Sequence, residues 1–201
     1  MSSKLDQVVE VLELQKDDSG NYTWGRIQHR WASVDLNTTR NLFSSIGIGA
    51  RGAAVVLRTA PALTLHNALR WKGQFLFLTS MIVGENRDCL ELQAALVEPV
   101  TCLATRTEDT VGEAGRPTTA ETMRVTFPGV LTEKYTRYER EATHAENETS
   151  YVLVVPKVIQ LKASDLVTVQ EGPAKGVYYV TICHVLDPYK NEYEIAWRGD
   201  V

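Results

Sequence analysis

Apolar residues in this chain almost never recur at the three-and-four spacing of a helix face. They come instead in short runs of Val, Ile, Leu, Phe and Tyr set between turn residues. That rhythm confines the chain to an all-β protein with little or no helix. Residues 8–14 form the first run, and Asp17-Asp18-Ser19-Gly20-Asn21 supplies turn chemistry before a second run over 22–34. Gly and Asn accept the positive φ of a tight reversal, so this pair reads as a hairpin. Further strands are expected over 53–58, 62–65, 70–71, 75–82 and 89–97, with Lys72-Gly73 and Gly84-Glu85-Asn86 as turns. Together they predict a small barrel or sandwich of five to seven strands.

Two stretches break the pattern. Residues 35–52 (DLNTTRNLFSSIGIGARG) are rich in Asn, Thr, Ser and Gly and read as a long loop with one helical turn at most. Residues 105–122 (TRTEDTVGEAGRPTTAET) hold a single large aliphatic residue, Val111, and read as a linker or exposed loop. Strand patterning resumes at 123–127, pauses over a charged stretch at 132–150, and returns at 151–155, 158–161, 166–169, 177–185 and 193–197.

Sliding the chain by about 96 residues sets Trp31 on Phe127, Val55-Val56-Leu57 on Tyr151-Val152-Leu153, and Leu63-Thr64-Leu65 on Ile159-Gln160-Leu161. With small insertions, Leu69 meets Leu166, residues 75–79 meet 177–181, and Glu91-Leu92 meets Glu194-Ile195. A period this long fits tandem domains and not a solenoid. The expected architecture is two tandem small antiparallel β-barrel or sandwich domains with long loops: 1–104, a connecting segment 105–122, and 123–201. In this alignment the second copy lacks a counterpart of the 8–14 strand. One larger sandwich whose halves alternate alike is the competing arrangement. Trp31, Leu57, Phe75, Phe77, Phe127, Leu153, Tyr179, Val180 and Ile195 are the expected core.

Charge argues about partners. The formal net charge is −4, with no run of five like charges, which disfavours a dedicated nucleic-acid binder. Residues 1–104 carry ten basic and ten acidic side chains, and 105–201 carry eleven and fifteen, so the excess acidity lies in the second half. No apolar stretch reaches the roughly 18 to 20 residues of a membrane span, and Met-Ser-Ser-Lys-Leu-Asp-Gln lacks an apolar signal core. The reading is a protein made in the cytoplasm, without a membrane partner. Cys89, Cys102 and Cys183 fit neither a disulfide framework nor a zinc site and read as reduced, buried side chains.

No Walker loop, G-x-S-x-G elbow, H-E-x-x-H or C-x-x-C occurs. The four histidines are isolated, and an enzyme would require His66 or His184 to meet acids such as Asp187. The expectation is a non-enzyme with no catalytic residue, metal or cofactor. Residues 133–141 read either as a solvated helical turn, with Glu133 and Arg137 at a favourable spacing, or as a partner-binding loop. In the second reading Tyr135, Arg137, Tyr138 and Arg140 are the residue types enriched at interface hot spots.

The order Trp31-Ala32-Ser33-Val34, a long loop, Val55-Val56-Leu57-Arg58, Leu69-x-x-x-Gly73-x-Phe75-x-Phe77-Leu78, a polar turn and Cys89-Leu90-Glu91-Leu92 resembles the head-tail joining, or head-closure (stopper), proteins of tailed bacteriophages. The resemblance covers roughly residues 5–100. It implies a structural neck component of the virion, assembled as a homo-oligomeric ring of sixfold-compatible symmetry. Its implied partners are the portal or adaptor protein and a tail terminator or tail tube protein, with packaged DNA passing through unread. The family's channel or gate loop corresponds here to 35–52, which nominates Asn41, Leu42, Phe43, Ser44, Ser45, Ile46, Gly47, Ile48, Gly49 and Arg51. Such a conduit should hold phosphate weakly, as a chain without a basic stripe does. The family is usually about half this length. Two other readings stay open: a tail terminator or tail-completion protein, and a two-barrel binding module outside any virion with an aromatic groove built from Trp71, Tyr178 and Tyr179.

Overall fold

Alternation of inward apolar and outward polar side chains, cut by Gly, Asn and Asp, makes strands pair with their sequence neighbours and curl until no edge remains. The computed structural model describes residues 4–41, 44, 50–84, 88–111, 117–134 and 150–199. Among them there is no helix, and twelve strands form two closed antiparallel barrels.

The first barrel contains β1 (Gln7–Lys16), β2 (Tyr22–Asn41), β3 (Ala50–Arg58), β4 (Ala68–Trp71), β5 (Gln74–Val83) and β6 (Cys89–Val97). Its strand order is β1-β2-β3-β6-β5-β4, closed by the β1–β4 pair with Val11 opposite Leu69. Val9, Val11, Ala32, Val55, Leu57, Leu69, Leu76 and Leu92 fill its interior. Phe75 and Phe77 are buried as expected. Phe75 meets Trp24 at 5.6 Å between ring centroids. The β4–β5 hairpin turns through Lys72 (φ 50) and Gly73 (φ 81), the two-residue reversal that Lys72-Gly73 predicts.

The second barrel contains β7 (Val100–Val111), β8 (Pro117–Glu133), β9 (Ser150–Pro156), β10 (Leu166–Val169), β11 (Gly176–His184) and β12 (Lys190–Gly199). Its order, β7-β8-β9-β12-β11-β10, repeats that of the first barrel strand for strand, closed by β7 against β10. The chain thus divides into Met1–Gln15 with Thr23–Pro99, and Lys16–Tyr22 with Val100–Val201.

Local devices are repeated as well. Asn67 precedes β4 and accepts the Thr64 N–H through Oδ1, while Asp165 precedes β10 and accepts the Lys162 N–H through Oδ2. Each is buried and each reaches its barrel's first strand: Asn67 Nδ2 donates to Leu12 O, and Asp165 takes a bidentate Arg106 at 2.7 Å on both bonds. Shared strand order and a shared buried bracket at one position are the structural content of the repeat.

Several expectations need correction. The 35–52 segment is shorter as a loop than composition suggests, because Asp35 and Leu36 pair with Ala54 and Ala53, and Arg40 and Asn41 with Arg51 and Ala50. Polar Thr and Asn are tolerated there because ladder hydrogen bonds come from the backbone and not from the side chain. The described residues of 105–122 are not a linker but strands: β7 reaches Val111 and β8 starts at Pro117, paired from Thr105 with Arg124 to Val111 with Pro117. The missing strand of the second copy is β7 itself, whose barrel portion turns Cys102 and Ala104 inward.

Two of the nine expected core residues lie outside. Trp31 is 62% exposed and Tyr179 36%, whereas Leu57, Phe127, Leu153, Val180 and Ile195 are buried. The reason is strand parity. Ala32 pairs with Leu57 and Leu131 with Leu153, so the counterpart of Trp31 is Val130, not Phe127. The alignment slipped by three, an odd number, and an odd slip exchanges the faces. Likewise Leu69 opposite Leu76 corresponds to Val167 opposite Tyr178, one residue from Leu166. Of the cysteines, all free, Cys102 is buried while Cys89 and Cys183 are half-buried.

Candidate functional site

The predicted gate residues are only partly within the described structure. Asn41 ends β2 opposite Ala50, and Arg51 is an exposed residue of β3 opposite Arg40 and Leu96. Ser44 is buried at 1% exposure. Leu42, Phe43, Ser45, Ile46, Gly47, Ile48 and Gly49 lie outside the described residues, as do Tyr135, Arg137, Tyr138 and Arg140.

An open cleft on the first barrel, which sequence reasoning missed, encloses about 510 Å³ and is lined by Leu5, His29, Arg30, Trp31 and Arg58. Inward Ala32 and Val34 send Trp31 and His29 to the outer face of β2, while Leu57 does the same for Arg58 on β3. Because Ala32 pairs with Leu57, the next step of the ladder sets Trp31 beside Arg58. Arg30 occupies the opposite parity, and its Nε is buried without a hydrogen-bond partner. Among the described residues that line it there is no carboxylate. A bare indole face, two guanidinium groups and an orphaned N–H suit recognition of a carboxylate- or phosphate-bearing partner. The readable signal was Ala32-x-Val34: two small apolar residues at alternate positions define the inside and leave Trp31 out.

The buried carboxylates of the second barrel are, by contrast, partnered, although the buried Asn191 Oδ1 on β12 has no hydrogen-bond partner. Glu194 accepts Lys134 Nζ at 2.5 Å and meets His184 Nε2 at 3.0 Å. Burial pushes the Glu194 carboxyl up, but the bonds from Lys134 and His184 outweigh it and leave the group below the usual carboxylate range. Lys190 pairs with Glu192 at 2.8 Å. Asp187 does not join His184; its Oδ1 accepts the backbone N–H groups of Tyr189 and Lys190. Nor do Tyr178 and Tyr179 share one groove. Tyr178 and Tyr179 face opposite sides of β11, Tyr178 is buried against Tyr151 and Trp197, and the Trp71 indole donates to Gln7 Oε1. Among the described residues no three His, Cys, Asp or Glu side chains gather as a metal site, and no helix is long and apolar enough to cross a membrane.

Titration separates the two barrels. Burial pushes the Cys102 thiol and the Tyr178 phenol each up to about 12, and it also raises Cys183 and Tyr193. All four belong to the second unit. Folded values above the unfolded ones of 9.0 and 10.0 mean that the folded state binds more protons in alkali. The associated stability is complete below about pH 9 and is lost as pH rises toward about 12. Second-barrel unfolding is expected in that window, with tyrosinate absorbance and loss of circular dichroism rising together. Tyrosinate formation by Tyr178 at its ordinary pH, in a chain still fully folded, would contradict this.

No family model and no curated protein matches the chain. Among solved structures it is similar to a chain of the virion of a native gene transfer agent particle, at 15% identity and a TM-score of 0.37, over 45% of this chain and 93% of that one. It is also similar to a protein of Shigella flexneri 2a solved in solution, at 18% identity and a TM-score of 0.38, over 47% of this chain and 95% of that one.

Proposed function

We propose that this chain is a structural neck protein of a tailed phage, closing the DNA-filled head below the portal or adaptor and offering a surface on which the tail docks. One observation carries the reading. Each described piece of the head-closure motif lies in register on one closed barrel: Trp31-Ala32-Ser33-Val34 in β2, Val55 to Arg58 in β3, Leu69 in β4, Gly73 at positive φ in the β4–β5 turn, Phe75 to Leu78 in β5 and Cys89 to Leu92 in β6. The motif residues therefore lie in the strand pairs and the turn that build this barrel. In this reading residues 41–51 border the channel, no residue is catalytic, and the second barrel faces a neighbour in the neck. A sequence of net charge −4 without a run of five like charges suits a conduit, since each phosphate neutralised adds affinity by counterion release.

Mixing the purified chain with DNA-filled, tailless heads tests the proposal. Co-sedimentation with those heads, and retention of their DNA under conditions in which untreated heads lose it, is the expected result. A chain that stays in the supernatant and leaves DNA release unchanged would overturn it.

A further inference from the structure

We propose that the Trp31 cleft of one copy receives the acidic β7–β8 ribbon of a second copy of this chain. The inference holds for a neck protein or for any other role, because it rests on two exposed surfaces of the chain, although on the ribbon Glu121 meets Arg124 at 3.5 Å and Asp109 accepts from Thr119 Oγ1 at 3.1 Å. The first is the cleft, with Trp31 and Arg58 exposed side by side and the buried Arg30 Nε lacking a partner. The second is the outer part of the β7–β8 hairpin. Residues 107–111 and 117–121 pair only with one another, whereas the barrel part of β7 also pairs with β10. Glu108, Asp109 and Glu121 are exposed along that ribbon.

A two-stranded ribbon outside a sheet is only marginally stable in water, and residues 107–111 (TEDTV) and 117–121 (PTTAE) hold one large aliphatic side chain, Val111, and so no apolar face to fold back on. It gains order from a partner. The barrel that carries the cleft is closed and offers no edge for strand addition, so a partner at the cleft is met by side chains. Charge identifies it: the cleft is cationic, with no carboxylate among the described residues that line it, and the ribbon carries carboxylates. An incoming carboxylate satisfies the orphaned Arg30 donor and pairs with Arg58, while the aliphatic parts of the ribbon cover the Trp31 ring. Trp and Arg are the side chains that most often dominate interface energetics. Since cleft and ribbon are different surfaces, the contact is heterologous and propagates head to tail into a closed ring or a filament.

A charge exchange at exposed positions tests this without touching either core. Light scattering and sedimentation of the full chain should show species larger than one 22.4 kDa chain. Arg58→Glu and Glu108→Arg should each weaken association by about tenfold or more, with melting unchanged. An equimolar mixture of the two variants should restore it, because each interface then joins opposite charges again. Trp31→Ala should weaken association in the same assay. A wild-type chain that stays monomeric at high concentration, variants that associate normally, or a mixture no better than its components would each overturn the proposal. So would a short single-stranded oligonucleotide that quenches Trp31 fluorescence in an Arg58-dependent way, since that would make nucleic acid the occupant.

Discussion

Asp165→Ala is expected to lower the stability of the second barrel by about 3–5 kcal/mol. Asp165 is 2% exposed, and its carboxylate accepts two Arg106 bonds at 2.7 Å and the Lys162 N–H at 2.7 Å. Truncation leaves the Arg106 guanidinium in a partly dry site without its counter-charge, and takes away the acceptor of the Lys162 N–H in the turn that leads into β10. The cost lies in orphaning the charge and not in any large net worth of the pair. A double replacement of Arg106 by Met and Asp165 by Leu should therefore lose much less than the single variant. Asn67, the neutral counterpart in the first barrel, provides the internal control. Asn67→Ala removes bonds to Leu12 O and Thr64 N but strands no charge, and about 1–3 kcal/mol is expected. Urea unfolding of the three variants checks the ordering, and an Asp165→Ala loss no larger than that of Asn67→Ala would refute it.

Phe127→Ala should cost about 3–5 kcal/mol, a large share of the roughly 5–15 kcal/mol that holds a domain together. Phe127 is fully buried on β8 opposite Cys102. Close packing around it is evident two residues on, where a Cβ at Gly129 would lie 2.6 Å from Leu153 Cδ1 and 3.2 Å from Cys102 Sγ. Walls this close-packed do not collapse into the space a lost ring leaves, so transfer and cavity costs add. Trp31→Ala removes a larger ring that simple alignment equates with Phe127, yet the folded monomer should lose no more than about 0.5 kcal/mol, because the Trp31 ring is mostly in water. Thermal melts of the two variants at low protein concentration check the contrast. Equal losses would mean that Trp31 is packed after all.

Those two aromatics also mark where sequence reading stopped. Strand runs, the Lys72-Gly73 turn and the Asp17 to Asn21 turn were legible because period-two patterning and positive-φ chemistry are local properties. Residues 105–122 were not. A ribbon without a core has the composition of a linker, and only the pairing of Thr105 through Val111 with Arg124 through Pro117 reveals strands. Trp31 was misassigned because parity depends on a register that no single strand states; the Ala32–Leu57 and Leu131–Leu153 pairs supply it. The cleft was hidden for the same reason, since it joins residues of β2 and β3 with Leu5.

What the amino-acid order determined by itself is the class of the molecule: alternating apolar positions and turn residues make strands, and their recurrence makes two similar β units. Tertiary structure decided that each unit closes into a six-stranded barrel of the same order, that β7 completes the second, and that Trp31, Arg58 and Arg30 meet at one cleft. Local patterning sets which residues are able to turn inward. Which of them do so, and which outward ones become neighbours, depends on register between strands far apart in sequence, and that is chosen by the packing of the whole barrel.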